Sequence, residues 1–168
     1  MQMKNIVIIL CDVRSCYNVG SIFRTADSAG STEIVLCGIT PHPRLPNDPR
    51  PERVIGNNSK MIHKTALGAE ESVKYSYQES PLEAVNEYKS AGYQVVALEN
   101  KIENTENIFN FASHHDIALL VGSETSGLGH ELLALCSSVV EIPMHGIKNS
   151  LNVSVAVGIA LYALRYKN

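Results

Sequence analysis

Short apolar runs, each closed by a turn, constrain this chain most. They fall at residues 5–11, 33–36, 93–98, 117–121 and 139–142. None is long enough to be a helix or to cross a bilayer. Runs apolar at successive positions suit strands covered on both faces, which is the condition of a parallel sheet. Helical signals lie between them. Residues 18–29 carry Val19, Ile22, Phe23, Ala26 and Ala29 on one face, and Gly30 supplies a stop. Ser80-Pro81-Leu82-Glu83 reads as a capping box with proline at the first helical position, and Gly92 closes that helix. Residues 151–166 form a last helix, apolar on most sides in its first half, as for burial against the sheet or a second subunit. The alternation predicts an α/β fold with a mostly parallel sheet flanked by helices. The 168 residues are expected to form one domain, 1–168.

Residues 40–58 break the pattern. Pro41, Pro43, Pro46, Pro49 and Pro51 remove donors and block helix, so the stretch reads as one long loop. Loops of that length are often functional. Arg44, Arg50 and Arg53 make it either a connector or a surface facing RNA.

Composition sets the class. A hydrophobic fraction of 45% with 18% charged residues fits a globular protein and excludes a disordered one. No signal-peptide pattern opens the chain, so a cytoplasmic location is expected. Cys11, Cys16, Cys37 and Cys136 form no CxxC pair and no zinc-finger spacing, and they read as reduced, small hydrophobes. No metal site is expected. The formal charge is −3 and the pI about 6.1. That balance argues against a nucleic-acid partner unless a local basic surface exists.

Three segments place Gly, Asn, Ser and charge just after a strand, where open α/β sheets bind ligands. The first holds Asn18, Gly20 and Arg24, opening the first helix. Arg24 lies opposite the apolar stripe, either as a solvated surface residue or as a bidentate phosphate grip, with Gly20 leaving room one turn away. The second holds Gly122, Glu124 and Gly127 after the 117–121 strand. It is either a turn capping the next helix, which begins near Leu128, or a tight ligand loop with Glu124 as acceptor. The third runs from Ile142, Pro143, Met144 and Gly146 to Ser150, Leu151, Asn152, Val153, Ser154 and Ala156. Ser150 or Asn152 is placed to cap the last helix, yet the segment is more polar than capping requires. His145 in it reads as a loop residue first and a substrate contact second.

Taken together and in order, these segments resemble the three signature motifs of the SpoU/TrmH family within the SPOUT class of RNA methyltransferases: N-x-G-x-x-x-R, G-x-E-x-x-G and I-P-M-x-G-x-x-x-S-L-N-V-S-x-A. The resemblance spans the chain from Asn18 to the last helix. It implies a carboxyl-terminal deep trefoil knot, against the general rule that chains do not knot. It also implies a homodimer and S-adenosylmethionine as methyl donor, with adenine held by backbone groups of Leu98, Gly122, Ile142, Met144 and Leu151. The implied reaction is methylation of a ribose 2′-hydroxyl of tRNA or rRNA, tRNA being the preferred expectation, with neither DNA nor membrane as partner. Arg24 would be the catalytic arginine. Asn18, Glu124, Ser150 and Asn152 would orient the ribose, Arg24 and the loop. Phosphate positioning suits Arg24 better than a role as base, since a guanidinium resists deprotonation. Without an added RNA-binding domain, either a compact RNA or a partner protein would have to supply affinity.

Two other readings stand beside it. A Rossmann-type nucleotide-binding enzyme would need G-x-G-x-x-G or G-x-x-x-x-G-K-[ST], and neither occurs. A non-catalytic RNA-binding or assembly protein would not require Arg24, Glu124 and Ser150 together.

Overall fold

β1 (Ile6–Cys11) is buried along its whole length, and its side chains alternate between two cores. Ile6, Ile8 and Leu10 face one side; Val7, Ile9 and Cys11 face the other. That alternation is why the run shows no polar positions. The computed structural model describes residues 4–100 and 102–166. After β1 come α1 (Cys16–Ala29), β2 (Glu33–Cys37), α2 (Glu52–Ala66), α3 (Ala69–Ser72) and β3 (Tyr75–Gln78). Then follow α4 (Pro81–Ser90), β4 (Gln94–Leu98), β5 (Glu106–Asn107), β6 (Ile117–Val121), α5 (His130–Leu135), β7 (Ser138–Glu141) and α6 (Val153–Tyr166).

The seven strands form one sheet in the order β3-β2-β1-β6-β4-β7-β5, and every neighbouring pair is parallel. Residues from α1, α2, α3 and α6 share the core with Ile6, Ile8 and Leu10. Those from α4, flanked by α5, share the core with Val7 and Ile9. Register brings the carboxyl ends of the central strands level: Leu10 pairs with Val121, Val121 with Leu98, and Leu98 with Val140. Whatever follows those residues is therefore gathered at one rim.

Local chemistry explains the helix ends. Ser15 caps α1, its hydroxyl accepting from the Asn18 amide at 3.3 Å, and Gly30 closes it at φ 67°. Ser80 caps α4 by accepting from the Glu83 amide at 3.3 Å. Asn152 caps α6, its Oδ1 accepting from the Ser154 amide at 2.9 Å and hydroxyl at 2.7 Å. Helix α6 thus begins at Val153, and α1 at Cys16.

The 40–58 stretch is not one loop. It is irregular up to Pro51, and α2 begins at Glu52. Only Ile55, Ile62 and Ala66 of α2 are buried, too sparse a stripe to show in the sequence. Two of the three arginines are also committed elsewhere. Arg50 pairs with Asp48 at 2.6 Å and donates to the carbonyls of His42 and Pro43; its side chain is 20% exposed and that of Asp48 1%. Those bonds hold the Asp48 carboxyl well below the usual carboxylate range. Arg44 is exposed and pairs with Glu52 in bidentate fashion. Arg53 is exposed at the start of α2. The irregular stretch is a stapled structural segment, with His42 stacked on Tyr77 at 4.4 Å between ring centroids.

Candidate functional site

A cavity of about 250 Å³ opens at the rim where β4, β6 and β7 end. Leu98 and Val121 are the last residues of their strands, and Ile142 immediately follows β7. With Met144, Leu151 and Gly122 they form its apolar wall, closed by Val153 and Ala156 from the start of α6. All five residues expected to hold an adenine line this cavity.

The polar side comes from three stretches of chain. Glu124, Ser150 and Asn152 line it directly. Asn18 joins them through a relay. Its Nδ2 donates to Glu124 Oε1 at 2.8 Å, and its Oδ1 accepts from Asn152 Nδ2 at 3.1 Å. These contacts span 106 and 134 residues of sequence, so the three motif segments converge on one side-chain network. Glu124 Oε2 also accepts from the Arg14 amide at 3.2 Å, where α1 begins. Partial burial raises the Glu124 pKa, but the hydrogen bonds from Asn18 and from the amides of Arg14 and Ser15 outweigh it and hold the carboxyl below its ordinary value. An ionised carboxylate at the amino end of α1 is also favoured by the helix dipole.

Arg24 stands apart. It is exposed on α1, about 9 Å along the axis from Asn18. It does not line the cavity, and its guanidinium has no hydrogen-bond or ion-pair partner among the described residues. Gly20 does not make room for it. A Cβ at Gly20 would sit 2.2 Å from the Ile62 carbonyl oxygen, so this glycine lets α1 and α2 pack backbone to backbone. The glycines of the second motif likewise serve the loop's own closure. A Cβ on Gly122 would meet the Gly127 carbonyl carbon at 2.4 Å, and the Gly127 amide donates to the Ser123 carbonyl at 2.9 Å.

Sequence reasoning missed Glu99 and Asn100, which also line the cavity. Their signal was position: they directly follow the last residue of β4, at the rim where such sheets bind ligands. Among the described residues the cavity lining carries two carboxylates, Glu99 and Glu124, and no Lys or Arg. Its electrostatics suit a cationic or neutral ligand with an apolar aromatic part, and oppose a pyrophosphate. The thiols take no part: burial raises Cys16, pushes Cys136 up to about 11, and the hydrogen bond with Cys37 together with burial raises Cys11. Among the described residues no His, Cys, Asp and Glu cluster could hold a metal ion, and no helix is long and apolar enough to cross a membrane.

Residues 5–162 match the SpoU rRNA Methylase family. The chain belongs to that family. A Burkholderia 23S rRNA (guanosine-2′-O-)-methyltransferase, RlmB, is 30% identical over 162 residues, covering 96% of this chain and 59% of that protein. An AdoMet-bound rRNA methyltransferase from Sinorhizobium meliloti superposes with a TM-score of 0.78 at 27% identity, covering 96% of this chain and 56% of that one. A structure that concerns the 2-OH methylation of C/U34 on tRNA gives a TM-score of 0.69 at 26% identity, with 95% and 93% coverage. The chain spans under three-fifths of the length of the curated relatives it matches.

Proposed function

We propose that this SpoU-family chain transfers a methyl group from S-adenosylmethionine to a ribose 2′-hydroxyl of RNA, with tRNA as the substrate class. The observation that carries the reading is the cavity itself: an apolar slot at the strand ends with two carboxylates on its polar side and, among the described residues, no cationic side chain. That lining fits an adenosyl sulfonium and repels the pyrophosphate a Rossmann cofactor would bring. The AdoMet-bound Sinorhizobium relative and the 2′-O specificity in the name of the Burkholderia relative support the assignment. The near-complete mutual coverage with the structure concerned with C/U34 of tRNA supports the choice of RNA.

Bound in the slot, S-adenosylmethionine supplies an electrophilic methyl on a positively charged sulfur. The chain's residues do the rest. Backbone groups at Leu98, Gly122, Ile142, Met144 and Leu151 hold the adenine. Asn18, through Glu124 and Asn152, ties the rim loops into one geometry, and Ser150 at the cavity edge orients the acceptor ribose. Arg24, with its guanidinium unpaired among the described residues, takes the RNA phosphate and fixes the hydroxyl in line with the methyl. Alignment of this kind supplies much of a transfer rate. The hydroxyl proton passes to solvent water as the methyl C–O bond forms and the S–CH₃ bond breaks, and S-adenosylhomocysteine leaves.

The fold reading extends to a carboxyl-terminal trefoil knot. Supporting it, β7 lies between β4 and β5, the segment after β7 is tied to the β4–β5 connection by Asn100 Nδ2 donating to the Asn149 carbonyl, and α6 then packs on α1. A homodimer in the cytoplasm completes the proposal. Val155, Tyr162 and Tyr166 on α6 are 50%, 42% and 79% exposed, an apolar strip suited to a second copy.

The test is transfer of labelled methyl to RNA from the parent cell, separated into tRNA and rRNA and digested to nucleosides. Label in a 2′-O-methyl nucleoside of the tRNA fraction is the expected result. Label on a base, or none in either fraction, would refute the activity; label confined to rRNA would refute the choice of substrate.

A further inference from the structure

Among the described residues, Glu99 is the one carboxylate lining the cavity that the motif network does not use. It follows the last residue of β4 directly and is partly buried. Two backbone amides fix its carboxylate. Oε1 accepts from the Asn100 amide at 3.1 Å, and Oε2 accepts from the Leu128 amide at 3.0 Å. It also lies flat against the second-motif loop: a Cβ on Gly127, which sits at φ 64°, would come 2.6 Å from Oε2. The glycine there is what lets the carboxylate approach.

An ionised carboxylate has about four acceptor positions on its two oxygens. One on each oxygen is taken by an amide, so among the described residues one on each remains. Two acceptors side by side match a cis-diol, whose two hydroxyls donate in parallel. A carboxylate at the carboxyl end of a parallel strand is also the position from which nucleotide-binding α/β proteins take ribose hydroxyls. Here Glu99 lies next to Leu98, one of the residues placed against the adenine, so a ribose attached to that base falls within its reach.

We propose that Glu99 binds the ribose 2′,3′-diol of the donor nucleoside and so selects an adenosyl ligand with both hydroxyls. This rests on the donor site proposed above. Its fixed amide contacts hold the carboxylate ready before the ligand arrives, which lowers the ordering needed on binding.

Calorimetry with S-adenosylhomocysteine and with its 2′-deoxy and 3′-deoxy analogues separates the possibilities. The protein should bind each deoxy analogue about 10- to 100-fold more weakly than the diol, the range for a hydrogen bond to a charged group. In Glu99→Ala the diol ligand should weaken by a similar factor, and the three ligands should bind within about threefold of one another. Glu99→Gln keeps an oxygen for the Leu128 amide and preserves the loop; it should melt with the wild type yet lose most of the discrimination between the ligands. If either variant loses affinity for all three ligands equally, Glu99 merely supports the loop and the inference is overturned. If wild type binds none of the ligands, the donor site itself is wrong and the inference falls with it.

Discussion

Single residues carry the site in two different ways. Glu124, Asn18 and Asn152 satisfy one another and hold three segments together. Arg24 is the reverse, a cation with no partner among the described residues, and its value lies in what it meets outside the protein. Arg24→Ala should therefore lower methyl transfer by at least about 100-fold, the usual effect of removing one transition-state donor, while leaving donor affinity within about twofold. Rate assays and calorimetry on one preparation check both halves; unchanged transfer would strip Arg24 of its role. Glu124 gives a pH signature. Its folded pKa is depressed, so the contribution of its ionised form is fully present above the ordinary glutamate value and is lost as pH falls through the lower, folded value. An NMR titration should place its midpoint below that of an unperturbed glutamate. A midpoint at or above it would mean that the contacts to Asn18 and Arg14 do not persist in solution.

The elements show what packing demands beyond local preference. α1 and α2 meet at Gly20, where any side chain would strike the Ile62 carbonyl. Gly20→Ala should destabilise by about 1–3 kcal/mol, measured by denaturant unfolding, because backbone must move to admit one methyl group. Beyond β2, the irregular proline segment depends on buried His42, whose pKa is lowered mainly by burial, with Arg50 adding to it against opposing effects from Pro43 and Asp48. The unfolded chain binds this proton more readily, so stability should fall as pH drops through and below the usual histidine range. His42→Phe keeps a ring on Tyr77 and should flatten that part of the pH–stability curve; an unchanged curve would contradict the assignment. The same segment marks where sequence reading ran short. Its prolines announced irregular chain correctly up to Pro51, but α2 buries only Ile55, Ile62 and Ala66, and so few apolar positions leave almost no period to detect. β5, two residues long and with Glu106 exposed, is invisible for a similar reason.

For the whole molecule, the sheet was legible because five of its strands are apolar on both faces, and the cavity wall through the family resemblance, which named Leu98, Gly122, Ile142, Met144 and Leu151. What stayed hidden depends on contacts between distant segments: the order that inserts β7 between β4 and β5, and the purpose of Gly20 and Gly122. None of these alters local periodicity, so none leaves a trace in a single sequence. The apolar strip on α6 belongs to this scale as well. The chain should run as a dimer at micromolar concentration in analytical ultracentrifugation, and Tyr162→Glu should shift it to monomer; a wild-type monomer would rule out the α6 interface. The central claim is that three separate loops form one pocket for an adenosyl sulfonium. A crystal structure grown with S-adenosylhomocysteine tests it most directly. The adenine should lie between Leu98, Ile142 and Leu151, with the thioether on the Glu124 side. A ligand bound elsewhere, or that cavity left empty at saturating concentration, would contradict it.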